Sequence, residues 1–212
     1  RKIYYWFLKW FLIKVVTLGA PIFYFLIKRR QRNYGEASRI LIIPQITRIG
    51  DLVCATPMFR LIKKHLPKSF LAVLVTNRTK DIIKNNPNID EIITFKSVDF
   101  AKRVLKEVRQ RKFDWVFNIS GAAIGSLISF YGFIPNRAKL TKRPRPLAEF
   151  LTDWISNYKL RYQHHTYLPR YYLDMLKFIG IKDVEEVKQI FTTKAGDENA
   201  AKYFSDLRLA PS

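Results

Sequence analysis

One short loop in the sequence contains the residue types best suited to chemistry. The loop reads QITRIGD over residues 45–51 and brings Thr47, Arg48, Gly50 and Asp51 close together. Gly50 allows the backbone to turn tightly before the next element begins. A carboxylate at Asp51 could accept a proton from an incoming hydroxyl group. The alternative is that Asp51 only caps the start of a helix.

A second candidate site is a basic stretch further along the chain. Residues 137–146 read RAKLTKRPRP and contain five bases and no acid. Guanidinium and ammonium groups bind phosphates and carboxylates. The candidate anion-binding residues of this stretch are Arg137, Lys142, Arg143 and Arg145. The alternative is a solvated basic loop that has no ligand.

Metal binding and disulfide formation have little support in the sequence. Cys54 is the only cysteine, which excludes an internal disulfide and a cysteine-based zinc site. Its apolar neighbours favour a buried and unreactive thiol. His164 and His165 are adjacent, and neighbouring histidines are more often surface residues than metal ligands. We therefore predict no metal site.

The overall charge indicates a polyanionic partner. Lys and Arg outnumber Asp and Glu by 38 to 17, so the 212 residues carry a formal net charge of +21. A field of this size attracts nucleic acid, anionic lipid or a phosphorylated substrate. Residues 1–39 contain nine bases and one acid, and the rest of the chain is also basic. A basic surface without a specific partner is the alternative.

The first 38 residues form a separate segment with the character of a helix at a membrane surface. Residues 3–27 are strongly apolar, but two lysines interrupt them, and each would cost about 3 kcal/mol near a bilayer centre. On a helical wheel these lysines share a face with two tryptophans, which suits the headgroup layer. We favour a helix or hairpin in the interface over a transmembrane anchor or a helix packed on protein. The predicted membrane-binding residues are Trp6, Lys9, Trp10, Lys14, Lys28, Arg29 and Arg30.

From residue 39 onward, apolar runs alternate with helical patterns. Strands are predicted over residues 39–44, 70–76, 91–95, 113–119 and 137–140. Helices are predicted over residues 57–65, 80–85, 99–111, 124–131, 147–157 and 167–179, with Thr56 capping the first of them. This spacing predicts an α/β protein with a Rossmann-like, doubly wound parallel sheet over residues 39–212. Ligands of such sheets bind beyond the carboxyl ends of the strands, where we expect Asp51, Ser120 and Gly121.

Four segments, in order along the chain, resemble a known family. They read ILIIPQITRIGDLVCATPMFRLIKKHLP from residue 40, NPNIDEII from residue 86, FDWVFNISG from residue 113 and YLDMLKFIGI from residue 172. Together they resemble glycosyltransferase family 9, the ADP-heptose:lipopolysaccharide heptosyltransferase family. The loop Thr47-Arg48-Ile49 differs from the Ser-rich loop common in that family. Asn118 and Ser120 differ from the Asp and Gln that many members carry.

The resemblance implies a GT-B glycosyltransferase, in which one Rossmann-like domain binds the acceptor and a second binds a nucleotide sugar such as ADP-heptose. Asp51 matches the proposed general base of the family, which favours catalysis over capping. The implied acceptor is an anionic glycolipid of the lipopolysaccharide core at the cytoplasmic face of the bacterial inner membrane. The implied acceptor-binding residues are Thr47, Arg48, Gly50, Ser120, Gly121, Arg137, Lys142, Arg143 and Arg145. No metal or other cofactor is implied.

The same resemblance sets an expectation about domain organisation. Residues 39–212 would be the acceptor-side domain, and a missing carboxy-terminal donor domain would be required for turnover. The alternative is a non-catalytic basic protein that binds membranes or nucleic acid. No nucleic-acid-binding motif is present in the sequence, so we expect no nucleic-acid partner.

Overall fold

The computed structural model describes residues 38–45, 48–95, 103–141, 147–163 and 167–206. Several predictions fall on other residues and therefore lie outside the described part of the chain. They are the seven membrane-binding residues between Trp6 and Arg30, the loop residue Thr47, the bases Lys142, Arg143 and Arg145, and the pair His164 and His165.

Six parallel strands form one sheet within the described residues. They are β1 (Arg39–Ile43), β2 (Phe70–Thr76), β3 (Glu91–Phe95), β4 (Trp115–Asn118), β5 (Asn136–Thr141) and β6 (Tyr158–Arg161). Their order across the sheet is β3-β2-β1-β4-β5-β6, and every neighbouring pair is parallel. This arrangement confirms the predicted Rossmann-like parallel sheet. β6 was not predicted, because this edge strand has only four residues and carries exposed bases at Lys159 and Arg161.

Helices connect the strands and cover both faces of the sheet. They are α1 (Ile49–His65), α2 (Leu105–Arg111), α3 (Ala123–Tyr131), α4 (Leu147–Leu151), α5 (Leu168–Asp174) and α6 (Lys194–Asp206), with 3-10 helices at Lys80–Ile82 and Met175–Ile179. The predicted helices after β2 and after β5 are shorter than expected. The exposed helix α6 was not predicted.

Helix α1 begins eight residues earlier than the sequence pattern predicted. Pro57 lies inside this helix instead of at its first position, and Thr56 is not its cap. A proline has no N–H to donate to the carbonyl four residues before it. The Thr56 hydroxyl donates to the Val53 carbonyl at 2.8 Å instead, which satisfies the acceptor that Pro57 leaves open. The helix therefore continues through the proline and carries the loop residues Gly50 and Asp51 in its first turn.

The core lies on both faces of the sheet, because successive strand residues point to opposite sides. Ile40 and Ile42 of β1 pack with α1 and α5 on one face. Leu41 and Ile43 pack with α2 and α3 on the other face. All four side chains are fully buried, and burying an aliphatic side chain of this size contributes about 1.5–3 kcal/mol. This two-sided burial explains why β1 is a continuous apolar run.

An extended segment after the second 3-10 helix binds along the outer side of α1. Glu185 accepts a hydrogen bond from the Arg60 guanidinium at 2.7 Å, and Asp183 accepts one from Lys64 at 2.9 Å. The Gln189 amide donates to the Thr56 hydroxyl at 3.0 Å. These contacts hold the end of the domain against the helix that begins at the loop carrying Asp51.

Two basic residues of β5 are buried, where they bind groups of the protein itself. The Arg137 guanidinium donates to the backbone carbonyls of Ile155 and Ile134, both at 2.6 Å, and the residue is 2% exposed. Lys139 is 1% exposed and lies 2.9 Å from an Asp153 carboxylate oxygen. The prediction that Arg137 binds an anionic acceptor is therefore corrected, because its donors already satisfy buried backbone acceptors.

The buried pair of Lys139 and Asp153 predicts a specific stability effect. Lys139→Met in the complete gene product should lower the free energy of unfolding by about 3–5 kcal/mol, because it leaves a largely buried carboxylate without its cation. Urea denaturation measures this change. Adding Asp153→Leu to the same variant should restore much of the lost stability. A Lys139→Met protein as stable as the wild type would contradict this assignment.

Candidate functional site

The candidate site lies at the carboxyl edge of the sheet, where β1 and β4 are neighbours. The helix after β1 packs on one face of the sheet, and the helix after β4 packs on the other. In open α/β sheets, ligands bind where the connections diverge in this way. The Ser120 amide donates to the Ile43 carbonyl at 3.3 Å and joins the ends of the two strands. The loop after β1 and the turn after β4 therefore lie side by side.

Asp51 is placed in the first turn of α1, immediately after the first of these loops. The cap position is Arg48, with an extended backbone, and no described side chain caps the helix. Arg48 and Gly50 are exposed, and Asp51 is half-buried. The Asp51 carboxylate makes no hydrogen bond or ion pair with any described residue. Asp51 therefore does not cap the helix, and no described residue binds its carboxylate.

Two side chains lie within electrostatic reach of Asp51. Burial raises the pKa of the Cys54 thiol, and the Asp51 charge raises it further, although Lys188 acts in the opposite direction. Burial also raises the pKa of the Tyr172 hydroxyl, and the nearby charge of Asp51 adds to that shift. Cys54 is half-buried instead of fully buried as predicted, and its raised pKa disfavours the reactive thiolate. Tyr172 keeps its proton at neutral pH and acts only as a neutral hydroxyl.

The turn after β4 is held by a small buried hydrogen-bond network. The Asn118 side-chain amide donates to the Ala122 carbonyl at 2.9 Å and to the Ser126 hydroxyl at 3.2 Å. The Ser120 hydroxyl donates to the Asn118 side-chain oxygen at 2.7 Å and accepts from the Ala122 amide. Gly121 follows with a φ of 69°, in the left-handed region that favours glycine. This network fixes the shape of the turn beside Asp51.

The predicted site residues divide into three groups in the structure. Arg48, Gly50, Asp51, Ser120 and Gly121 all lie at the carboxyl ends of β1 and β4. Ser120 is buried and its hydroxyl is bound within the turn, so it shapes the site from behind. Arg137 lies within the fold. The remaining predicted acceptor-binding residues are outside the described part of the chain.

Sequence reasoning missed two residues of this site. Asn118 stood out in the sequence only as a departure from the family pattern, whereas its side chain, 1% exposed, organises the β4 turn. Tyr172 lies far from Asp51 in sequence, and it reaches the site only because α5 packs on α1. Within the described residues, no group of three or more His, Cys, Asp or Glu side chains could hold a metal ion.

Three solved structures share the fold of this chain. The chain is similar to a glycosyltransferase family 9 protein from Veillonella parvula DSM 2008, with a TM-score of 0.69 and 19% identity over 85% of this chain and 53% of that one. It is similar to the E. coli ADP-heptose LPS heptosyltransferase II, with a TM-score of 0.62 and 13% identity over 81% of this chain and 51% of that one. It is also similar to the E. coli heptosyltransferase WaaC with ADP, with a TM-score of 0.59 and 14% identity over 71% and 50%.

These likenesses show the fold, and the chain spans about half the length of each of the three structures. No family model and no curated protein sequence matches the chain. The described domain therefore has the same Rossmann-like fold as the part of these three structures that it covers.

Two glycines of the site, Gly121 in the β4 turn and Gly50 in α1, should respond differently to substitution by alanine. Gly121→Ala should lower the free energy of unfolding by about 2 kcal/mol or more, because φ is positive and an added Cβ would collide with the Leu140 carbonyl oxygen. Gly50→Ala adds a Cβ that meets nothing within 4 Å, so stability should be equal or slightly higher. Thermal unfolding of both variants tests the pair. A Gly121→Ala protein as stable as Gly50→Ala would contradict the turn conformation.

Proposed function

We propose that this chain is the acceptor-binding part of a glycosyltransferase that moves a sugar from a nucleotide sugar to an anionic glycolipid of the lipopolysaccharide core. The observation that carries the proposal is the half-buried carboxylate of Asp51, which has no partner among the described residues and lies beside the β1–β4 junction. The fold shared with three transferases supports the same reaction class. The named heptosyltransferases support a heptose such as that of ADP-heptose as the sugar.

In the proposed reaction, Asp51 acts as a general base. It accepts the proton of an acceptor hydroxyl while the oxygen of that hydroxyl attacks the anomeric carbon of the donor sugar. The bond between the anomeric carbon and the nucleotide diphosphate breaks in the same step, and the diphosphate leaves with the electron pair. The attack and departure occur on opposite faces of the sugar, so the configuration at the anomeric carbon inverts.

Charged groups around Asp51 would position an anionic acceptor. Arg48 is exposed at the start of α1, three residues before Asp51, where its guanidinium can bind a phosphate or carboxylate. The amides of the uncapped first turn also favour a negative group at that end of the helix. Thr47, Lys142, Arg143 and Arg145 remain proposed acceptor contacts on the evidence of the sequence. The net charge of +21 agrees with an anionic substrate.

We assign the donor to a separate carboxy-terminal domain of the complete gene product. The support is that each of the three similar structures is about twice as long as the part this chain covers. Turnover would then require both domains, because the diphosphate needs its own stabilising groups. Residues 39–212 would be inactive alone.

Attachment to the cytoplasmic face of the bacterial inner membrane completes the proposal. Its support is the sequence of residues 1–38, in which tryptophans alternate with lysines and a basic cluster follows. Among the helices of the described residues, none has both the length and the apolar character needed to cross a bilayer. A glycolipid acceptor would be presented to the site from the same membrane surface.

The central test is the transfer activity of Asp51→Asn in the complete gene product, assayed with ADP-heptose and an inner-core lipopolysaccharide acceptor. The rate should fall by about 10²–10⁴-fold, because the base is lost while side-chain size is kept. Asp81→Asn is the matched control, since Asp81 is an exposed carboxylate in the 3-10 helix after β2. It should keep wild-type activity. Full activity in a correctly folded Asp51→Asn protein would contradict the assigned role.

A further inference from the structure

Two adjacent tyrosines in α5 have different hydrogen-bonding roles. The Tyr171 hydroxyl donates to the Gln163 carbonyl at 2.9 Å and accepts from the Gln163 amide at 2.5 Å. The Tyr172 hydroxyl makes no hydrogen bond to any atom of the described residues. Both rings belong to the core on the α1 side of the sheet, and Tyr172 is the more buried, at 2% exposed against 5%.

The surroundings of the Tyr172 hydroxyl place it at the candidate site. The charges that act on it come from Asp51, Cys54 and Arg48 at the start of α1, and from Tyr162 after β6. The hydroxyl oxygen has no hydrogen-bond partner among the described residues, yet it is not completely buried. The 2% of Tyr172 that is exposed therefore includes the hydroxyl. The ring is therefore enclosed in the core between α1 and α5, and the partly exposed hydroxyl lies within electrostatic reach of Asp51.

The Tyr172 hydroxyl can bind a group from outside the protein, because it is partly exposed and no described residue binds it. In the free protein water can bind this partly exposed hydroxyl, so its loss in phenylalanine should change stability little. The neighbouring Tyr171 shows that this helix can satisfy a tyrosine hydroxyl with backbone groups. A hydroxyl without a partner among the described residues, near a carboxylate that also has none, indicates a partner that comes from outside the domain.

We propose that Tyr172 is an acceptor-binding residue, whose hydroxyl donates a hydrogen bond to an oxygen of the acceptor sugar next to the hydroxyl that Asp51 deprotonates. This inference rests on the proposed glycosyltransferase function. Tyr172 exchanges no proton in the reaction, because burial and the nearby Asp51 charge raise its pKa and keep it neutral. It holds the acceptor in place so that the reacting hydroxyl stays near the carboxylate.

Removal of the two hydroxyls should have different effects. Loss of the Tyr172 hydroxyl should weaken acceptor binding, and loss of the Tyr171 hydroxyl should lower stability. Tyr172→Phe in the complete gene product should raise the acceptor KM by about threefold to tenfold, the usual effect of losing one neutral hydrogen bond. The KM for ADP-heptose and the melting temperature should stay at wild-type values, since the hydroxyl contacts neither the donor nor the described protein. Steady-state kinetics with varied inner-core acceptor, together with thermal unfolding, measure these quantities.

Tyr171→Phe is the matched control, because it removes a hydroxyl from the next residue of the same helix. It should lower the melting temperature by about 2–4 °C, because the hydroxyl donates to one backbone group of Gln163 and accepts from another. Its acceptor KM should be unchanged. These opposite patterns would distinguish a hydroxyl that binds the acceptor from one that holds the fold.

Two results would overturn the inference while leaving the proposed function intact. One is an active Tyr172→Phe enzyme with wild-type acceptor KM, and the other is a Tyr172→Phe protein destabilised as much as Tyr171→Phe. A wild-type protein that transfers no sugar from ADP-heptose to the inner-core acceptor would overturn the proposed function, and the role of Tyr172 in it. The wild-type assay thus separates the two failures.

Discussion

The parallel pairing of β1 with β4 is the constraint on which the candidate site depends. Ile43 pairs with Asn118 at the end of both strands, so the loop carrying Asp51 and the turn carrying Gly121 emerge together. A register shift of one residue would turn every core side chain of β1 to the opposite face. Burial of Ile40 and Ile42 on one side and of Leu41 and Ile43 on the other prevents that shift. The apolar core and the position of Asp51 therefore have one physical cause.

Some polar side chains of this domain have hydrogen-bond partners within the protein, whereas others have none among the described residues. Arg137 and Asn118 are almost completely buried, and their donors bind backbone or side-chain oxygens of neighbouring turns. Asp51 and Tyr172 have no hydrogen-bond partner within the described residues, and they lie near one another where α5 packs on α1. Buried polar groups are nearly always satisfied, so unsatisfied ones at a sheet edge suit a ligand site. This contrast supports the acceptor site more strongly than the basic composition does.

The sequence predicted the features that depend on local pattern and missed those that depend on packing. Apolar runs such as Phe70–Thr76 identified the parallel strands, because strands buried on both faces carry few polar residues. The start of α1 was missed, since a proline usually marks the first turn and here Thr56 satisfies the carbonyl that Pro57 leaves open. Arg137 read as an exposed base although it is buried under the segment after α4. Tyr172 could not be assigned, because its contact with the site arises only from the packing of two helices.

The most direct measurement is a crystal structure of the complete protein bound to an inner-core acceptor and an unreactive ADP-heptose analogue. We predict one acceptor hydroxyl within about 2.6–3.2 Å of the Asp51 carboxylate and on the side facing the anomeric carbon. The same complex should show a second acceptor oxygen bound to the Tyr172 hydroxyl. An acceptor bound away from the carboxyl ends of β1 and β4, with the Asp51 side chain directed into solvent, would contradict the account.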